Sequence, residues 1–219
     1  PRARPVDRAY YRFLDAWSEL CRGDGGRTDA DAAQKCATAH HATKPLGLTW
    51  GLYLTRLQYA ESLRLRGAED EALGEVAQVL EFARRARSHP LEISALLSLS
   101  DILATRGRDA ESGEALARAL RVASRQGVYN VLGWRPKRLM RHCLRALETG
   151  VEKEFVRSLI RHRDLTPDEP PVELEDWPWA VRVYTLGRFE AVVDGRPSDT
   201  TGGNRNKPME LLKVLIALG

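Results

Sequence analysis

Long apolar runs are missing from this sequence. Its longest apolar stretches, such as 211–218, are interrupted by Lys213 and fall far below the roughly 20 residues that span a bilayer. No apolar segment of signal-peptide type follows the basic start at Arg2 and Arg4. The expectation is a cytoplasmic protein that does not engage a membrane. Cysteine is scarce as well. Cys21, Cys36 and Cys143 are odd in number, widely spaced and without a CxxC pair, which argues against a disulfide framework and a zinc ribbon and for reduced core thiols. Charge of one sign does not dominate: a net +4 and a pI near 9.1 permit nucleic-acid contact without demonstrating it. With 43% apolar and 29% charged residues the chain has the composition of ordinary globular protein, so disorder is not the default.

Catalytic constellations are also lacking. His162-Arg163-Asp164-Leu165 copies the opening of a kinase catalytic loop, but Glu169 stands where that loop needs Asn, and no nucleotide-covering Gly loop precedes it. The stretch 201–207 lacks the spacing of a phosphate loop and is followed by Pro208 where the magnesium-binding hydroxyl belongs. His40 and His41 are adjacent, so on a helix they point about 100° apart and do not face one ion. Arg22-Gly23-Asp24 matches an adhesion tripeptide and reads more simply as a turn between helices. With no nucleophile–base pair, no metal ligand set and no cofactor loop, the chain is not expected to be an enzyme.

What is present is a repeat. Laying 91–130 over 51–90 pairs Tyr59 with Leu99, Leu63 with Leu103, Gly67 with Gly107, and Ala77, Leu80 and Ala83 with Ala117, Leu120 and Ala123. Each copy reads as an apolar helix, a Gly-centred turn, an acidic start and a second helix with small residues on its inner face. Gly closes the first helix because it tolerates the left-handed conformation, and acidic groups favour the next N-terminus. A weaker copy covers 10–20 and 29–41 around the turn at 23–26, and a divergent fourth pair covers 134–148 and 152–163. A period near forty with this pattern predicts a tetratricopeptide-like α-solenoid. Tyr53 and Arg56, on one helical face by spacing, are candidates for lining its groove.

The segment 164–176 (DLTPDEPPVELED) carries Pro167, Pro170 and Pro171 and six acidic residues, which reads as a stiff, charged linker. The preceding helix pair is basic; two independently solvated charged surfaces are the simpler reading, and a linker that folds back on that pair is the alternative. Trp177 and Trp179 flank Pro178 and are expected to pack at the domain junction. From 179 to 193 (WAVRVYTLGRFEAVV) apolar alternation breaks at Gly187 and resumes before a turn at Asp194-Gly195, predicting a strand pair. After a Gly/Asn-rich stretch, Pro208 sits where a first helical turn tolerates it, and Leu211, Leu212, Leu215, Ile216 and Leu218 follow at helical spacing.

The words VRVYTLGRFE, DGRP and NKPMELLKVLIALG resemble the start of the winged-helix domain of OmpR-like regulators and Streptomyces antibiotic regulatory proteins. Together with the repeats, the segment EFVRSLIRHRDL, the acidic linker and EDWPW, the chain is similar to the C-terminal half of large bacterial regulators of the maltose-activator (MalT-like) type. The resemblance implies a mainly α fold: a repeat domain at 1–163, a linker at 164–178, and at 179–219 a truncated α+β winged-helix start of a strand pair plus the first helix. It implies a sensor for an inducer or protein partner coupled to DNA-binding output, with no cofactor in these residues and ATP bound upstream. Arg205 and Lys207, before the first helix, are candidates for DNA phosphate contacts. Pro1 is not an initiator Met and Gly219 falls within a helical pattern, so both termini are expected to be cut ends of a longer polypeptide. The alternative is a tetratricopeptide-type interaction scaffold without DNA binding.

Overall fold

A computed structural model describes residues 4–22, 29–130, 135–185, 189–193, 195–197 and 206–218, the side chains of Asp29 and of 206–209 excepted. The described residues are mainly helical, with a small antiparallel sheet near the C-terminus, and fall into two compact units, 1–174 and 175–219. The first holds α1 (Pro5–Arg22), α2 (Asp29–Thr43), α3 (Thr49–Leu65), α4 (Glu69–Arg85), α5 (His89–Thr105), α6 (Asp109–Gln126), α7 (Pro136–Glu148) and α8 (Lys153–His162), with a short 3₁₀ turn after α2. Each helix from α1 to α6 packs on the next, and α3 also packs on α5.

The repeat is visible in the helix starts, since α3 and α5, and likewise α4 and α6, begin 40 residues apart. The turns agree atom by atom. Gly67 and Gly107 adopt φ of +75° and +69°, and the next amides, Ala68 N and Arg108 N, donate back to Leu63 O and Leu103 O at 2.9 and 3.0 Å. These bonds satisfy carbonyls that the helix end leaves open, and they need a left-handed residue to form. The cores agree too. Ala72, Val76, Val79, Leu80 and Ala83 on α4 are buried, as are Ser112, Leu116, Ala119, Leu120 and Ala123 on α6. Ala77, expected on the inner face, is instead exposed. The buried stripe runs one position earlier because the 3.6-residue turn brings 72, 76, 79, 80 and 83 to one side.

The weaker first copy is a helix pair, α1 and α2, in which Ala16, Leu20, Ala32, Cys36 and Ala39 form one cluster. Lys35 of α2 clamps it from outside, 2.9 Å from Glu19 and 3.2 Å from Asp15 of α1. The divergent last pair is α7 and α8, whose Leu139, Cys143, Ala146, Val156 and Leu159 are buried. The turn residues 23–26 and Trp134 lie outside the described residues. Cys36 and Cys143 are buried thiols, both pushed up to about 12 by that burial. Among the described residues no helix is long and apolar enough to cross a membrane.

The acidic segment does fold back. Residues 166–171 run beside α7 and enclose with it a cleft of about 490 Å³, lined on the helix by Lys137, Met140, Arg141 and Leu144. Lys137 Nζ meets Asp168 at 3.4 Å across it. Proline fixes the strap in an extended form, and through residue 174 it counts within the helical unit.

The second unit contains β1 (Val181–Tyr184), β2 (Glu190–Val193), β3 (Arg196–Pro197) and α9 (Asn206–Leu218). The sheet order is β1-β2-β3, and β1 and β2 are antiparallel with Val181 opposite Val193. Sequence alternation indicated the first two strands. The third, too short to show a period, follows from the turn in which Gly195 takes φ +77°. Trp177 is buried and meets Trp179 edge-on, with ring centres 6.2 Å apart, while the Arg182 guanidinium donates to Trp177 O at 3.0 Å. Lys213 of α9 sits over the Phe189 ring at 5.2 Å.

Candidate functional site

The repeat places chemistry as well as framework. A pocket of about 40 Å³ opens in the helical unit, lined from α3 by Leu54, Leu57, Gln58 and Glu61 and from α5 by Ser94, Leu97 and Ser98. The α5 residues are the α3 positions shifted by one copy. Phe13, Trp17 and Leu20 of α1 form another wall, and Arg135 and Arg138 at the start of α7 close the floor. Trp17 and Leu54 are half-exposed, whereas the other lining side chains are buried, so those two mark the mouth.

Below the pocket lies a buried ionic seam. Glu61 is 4% exposed and accepts two bonds from Arg64 at 2.9 Å and one from Arg135. Arg135 also donates to Leu20 O of α1 at 2.9 Å. One copy further on, Asp101 pairs with Arg138 and lies 3.3 Å from His142 Nε2. Arg138 Nη2 reaches Ser98 Oγ at 3.3 Å. Burial alone pushes the Glu61 carboxyl up, but the Arg138, Arg64 and Arg135 guanidiniums outweigh it and hold the group at about 2. Asp101 is likewise held well below the usual carboxylate range, because Arg138 and His142 outweigh the effect of burial. For Arg138 burial works against the charge, and Asp101 and Glu61 more than restore it. Both carboxylates are therefore charged, and each is met by guanidinium donors as buried charge requires.

Glu61 and Asp101 occupy the same position in successive copies of the first helix of the repeat. That coincidence is readable in the sequence, but the alignment by apolar and glycine positions passes over it. Arg135 and Arg138 belong to the helix pair that the sequence shows as basic, and are buried partners of these acids.

Tyr53 and Arg56 lie elsewhere. The Tyr53 ring stacks on Phe82 of α4 with centres 3.8 Å apart. Arg56 donates to Gln78 at 2.6 Å and meets Glu75 at 2.9 Å. Both fill the seam between α3 and α4, and neither is among the residues lining the pocket. Arg205 and the Lys207 side chain lie outside the described residues, so their proposed phosphate contacts have no geometry to report. His40 is buried and its ring stacks on Tyr59 at 5.1 Å. Burial, then the nearby Arg56 charge, depresses its pKa to about 4. Among the described residues no group of His, Cys, Asp and Glu is placed to hold a metal ion.

Comparison with known protein families, with curated proteins and with solved structures finds no match to this chain.

Proposed function

We propose that the chain is the sensing region of a bacterial transcriptional regulator: the helical unit takes an effector in the pocket between α1, α3, α5 and α7, and the C-terminal unit belongs to a winged-helix DNA-binding output. The observation that carries the sensor half is the pocket itself, an apolar mouth over a polar floor built from equivalent positions of two helix pairs. Such concave sites with a few convergent polar groups are the usual form of small-molecule sites. The tetratricopeptide-like reading is supported by the 40-residue recurrence of helix, left-handed turn and helix. The output half rests on the order of sheet then helix in 175–219, together with the resemblance of VRVYTLGRFE and NKPMELLKVLIALG to a winged-helix start. On α9, Leu211, Leu215 and Leu218 are 59%, 57% and 79% exposed on one face, an apolar surface that calls for a cover. In the proposed domain the recognition helix and its neighbour supply that cover. No catalytic step is assigned to these residues, and ATP binding belongs upstream if the resemblance holds.

The test is salt-dependent binding to mixed-sequence duplex DNA by this chain and by whatever its gene encodes around it. The regulator reading expects the longer product to bind with log affinity falling linearly with log salt. If neither binds, the scaffold reading replaces it. A specific observation favours that second reading: Val6, Tyr10 and Leu14, spaced along one face of α1, are 46%, 62% and 39% exposed and form an adhesive strip suited to a protein partner.

A further inference from the structure

We infer that the face of α7 beneath the acidic strap is a docking site for an extended acidic peptide of a partner protein, one that carries an apolar side chain, and that the strap is this site's own, weaker occupant. The inference goes beyond the regulator reading and holds whatever the C-terminal unit binds. Two rows of side chains make the site. Lys137 and Arg141 are four residues apart on α7, as are Met140 and Leu144, and all four line the cleft, so the helix offers a cationic row beside an apolar one. Lys137 Nζ meets Asp168 of the strap at 3.4 Å. Arg141 is exposed and has no hydrogen bond or ion pair among the described residues.

The strap itself shows what kind of chain this face accepts. Pro167, Pro170 and Pro171 hold it extended, and Asp168 and Glu169 line the cleft opposite the cations. A proline-stiffened segment has little freedom left to lose on docking, and carboxylates complement the cationic row. The strap matches the charge but not the volume. Its only apolar lining residues are prolines, and about 490 Å³ stays open beside Met140 and Leu144. It is also loosely held, since the Lys137 and Asp168 side chains are both more than half exposed. A peptide with the same acids and a leucine at its centre pairs with both cations and fills that space, and the unbranched Met140 side chain adapts to the guest. Release of the strap needs no unfolding of α8: Leu165, just before it, is buried, and its amide donates to Ile160 O at 3.0 Å. Duplex DNA would satisfy the cations and leave the apolar row uncovered.

Three fluorescein-labelled nonapeptides, titrated with the whole chain by anisotropy, test the site. Each alternates proline with a charged residue around a central position: one has Glu with a central Leu, one Glu with a central Ala, and one Lys with a central Leu. The Glu/Leu peptide is expected to bind at least about fivefold tighter than the Glu/Ala peptide through the extra apolar burial, and the Lys peptide is expected not to bind. Lys137→Glu and Arg141→Glu should each weaken the Glu/Leu peptide roughly tenfold, whereas Arg125→Glu on α6, equally exposed, should leave it unchanged. Asp168→Asn combined with Glu169→Gln should tighten it about threefold by loosening the strap, a gain that binding elsewhere would not show. Equal affinity for the Leu and Ala peptides overturns the inference, as does an unchanged affinity after the strap is neutralised. An equal loss in Arg125→Glu would reduce it to general attraction between acids and a basic protein. Absence of binding by all three peptides overturns it too, and displacement of the Glu/Leu peptide by mixed-sequence duplex DNA would make the face a phosphate-binding surface instead. The peptide ranking uses the natural chain alone and stands if a variant fails to fold. Failure of the salt-dependent DNA test leaves that ranking valid, and the reverse also holds.

Discussion

The pairs α3–α4 and α5–α6 repeat the same backbone with different side chains, and what is kept differs in kind from what changes. The turn glycines, the helix starts and the five buried positions on the second helix recur after 40 residues. Side chains change throughout the two copies: Leu54 and Gln58 become Ser94 and Ser98 at the pocket, Val79 becomes Ala119 in the core, Tyr59 becomes Leu99, and left-handed Arg87 becomes Gly127 at the exit. The buried pattern is what the fold keeps, while the side chains that fill it vary with the neighbours they meet.

That contrast breaks most sharply at the seam. Arg138→Met leaves Asp101 partly buried beside His142 without its guanidinium. It should cost about 3 kcal/mol in urea unfolding, and pairing it with Asp101→Asn should recover a large part. If the single variant is neutral, the seam does not hold α7. Next, Leu116→Ala and Val76→Ala remove side chains from the same position of the two copies. Expected losses are about 3 and about 2 kcal/mol respectively, and a reversed order would mean that α4 and α6 are not equivalent in packing.

A smaller effect separates Tyr59 from Leu99 through pH. His40, stacked on Tyr59, has its pKa lowered from the ordinary value of 6.5 to about 4. The unfolded chain therefore binds the proton more readily. The stability that His40 contributes is complete above its unfolded pKa and declines as pH falls toward about 4. Urea midpoints at about pH 7.5 and about pH 4.5 should differ by roughly 1–2 kcal/mol more in the natural chain than in His40→Leu. Glu61 acts in a lower window: held at about 2, its contribution is present above the ordinary carboxylate pKa and is lost as pH falls through that lower value. The smallest change is at the helix exits. Arg87→Gly should stabilise by about 0.5–1 kcal/mol by relieving a left-handed side-chain residue at φ +51°. Gly127→Arg, at φ +62°, should cost about 1 kcal/mol. Equal and opposite thermal shifts would show that the turn alone distinguishes these exits.

Most helices were legible because apolar period and glycine position act locally, as with Leu63-Gly67 and Leu103-Gly107. The fold-back of 166–171 was open to the sequence only as a second reading, because exposed opposite charges rarely hold a segment by themselves, and its cleft with Met140 and Leu144 was not legible. The pocket could not be read from α3 alone. Helical spacing put Tyr53 and Arg56 on one face but did not say that this face meets Phe82 and Gln78 of α4. Which face turns inward depends on the neighbouring helices, and a period does not carry that choice. Arg135 and Arg138 were hidden for a related reason: they look like solvated cations until acids 74 and 37 positions away arrive beside them.

Helical repeats are usually open-ended, gaining or losing copies with little penalty because each touches only its neighbours. The start of α7 departs from that rule. Three residues apart, Arg135 engages the acid of one copy and the carbonyl of Leu20 in the copy before, while Arg138 engages the acid of the next. Deleting one copy would strand a buried guanidinium, and inserting one would strand a buried carboxylate. The two copies are thus matched one to one with two guanidiniums, and a change in the number of copies between α2 and α7 calls for a matching change of charge at the base of α7.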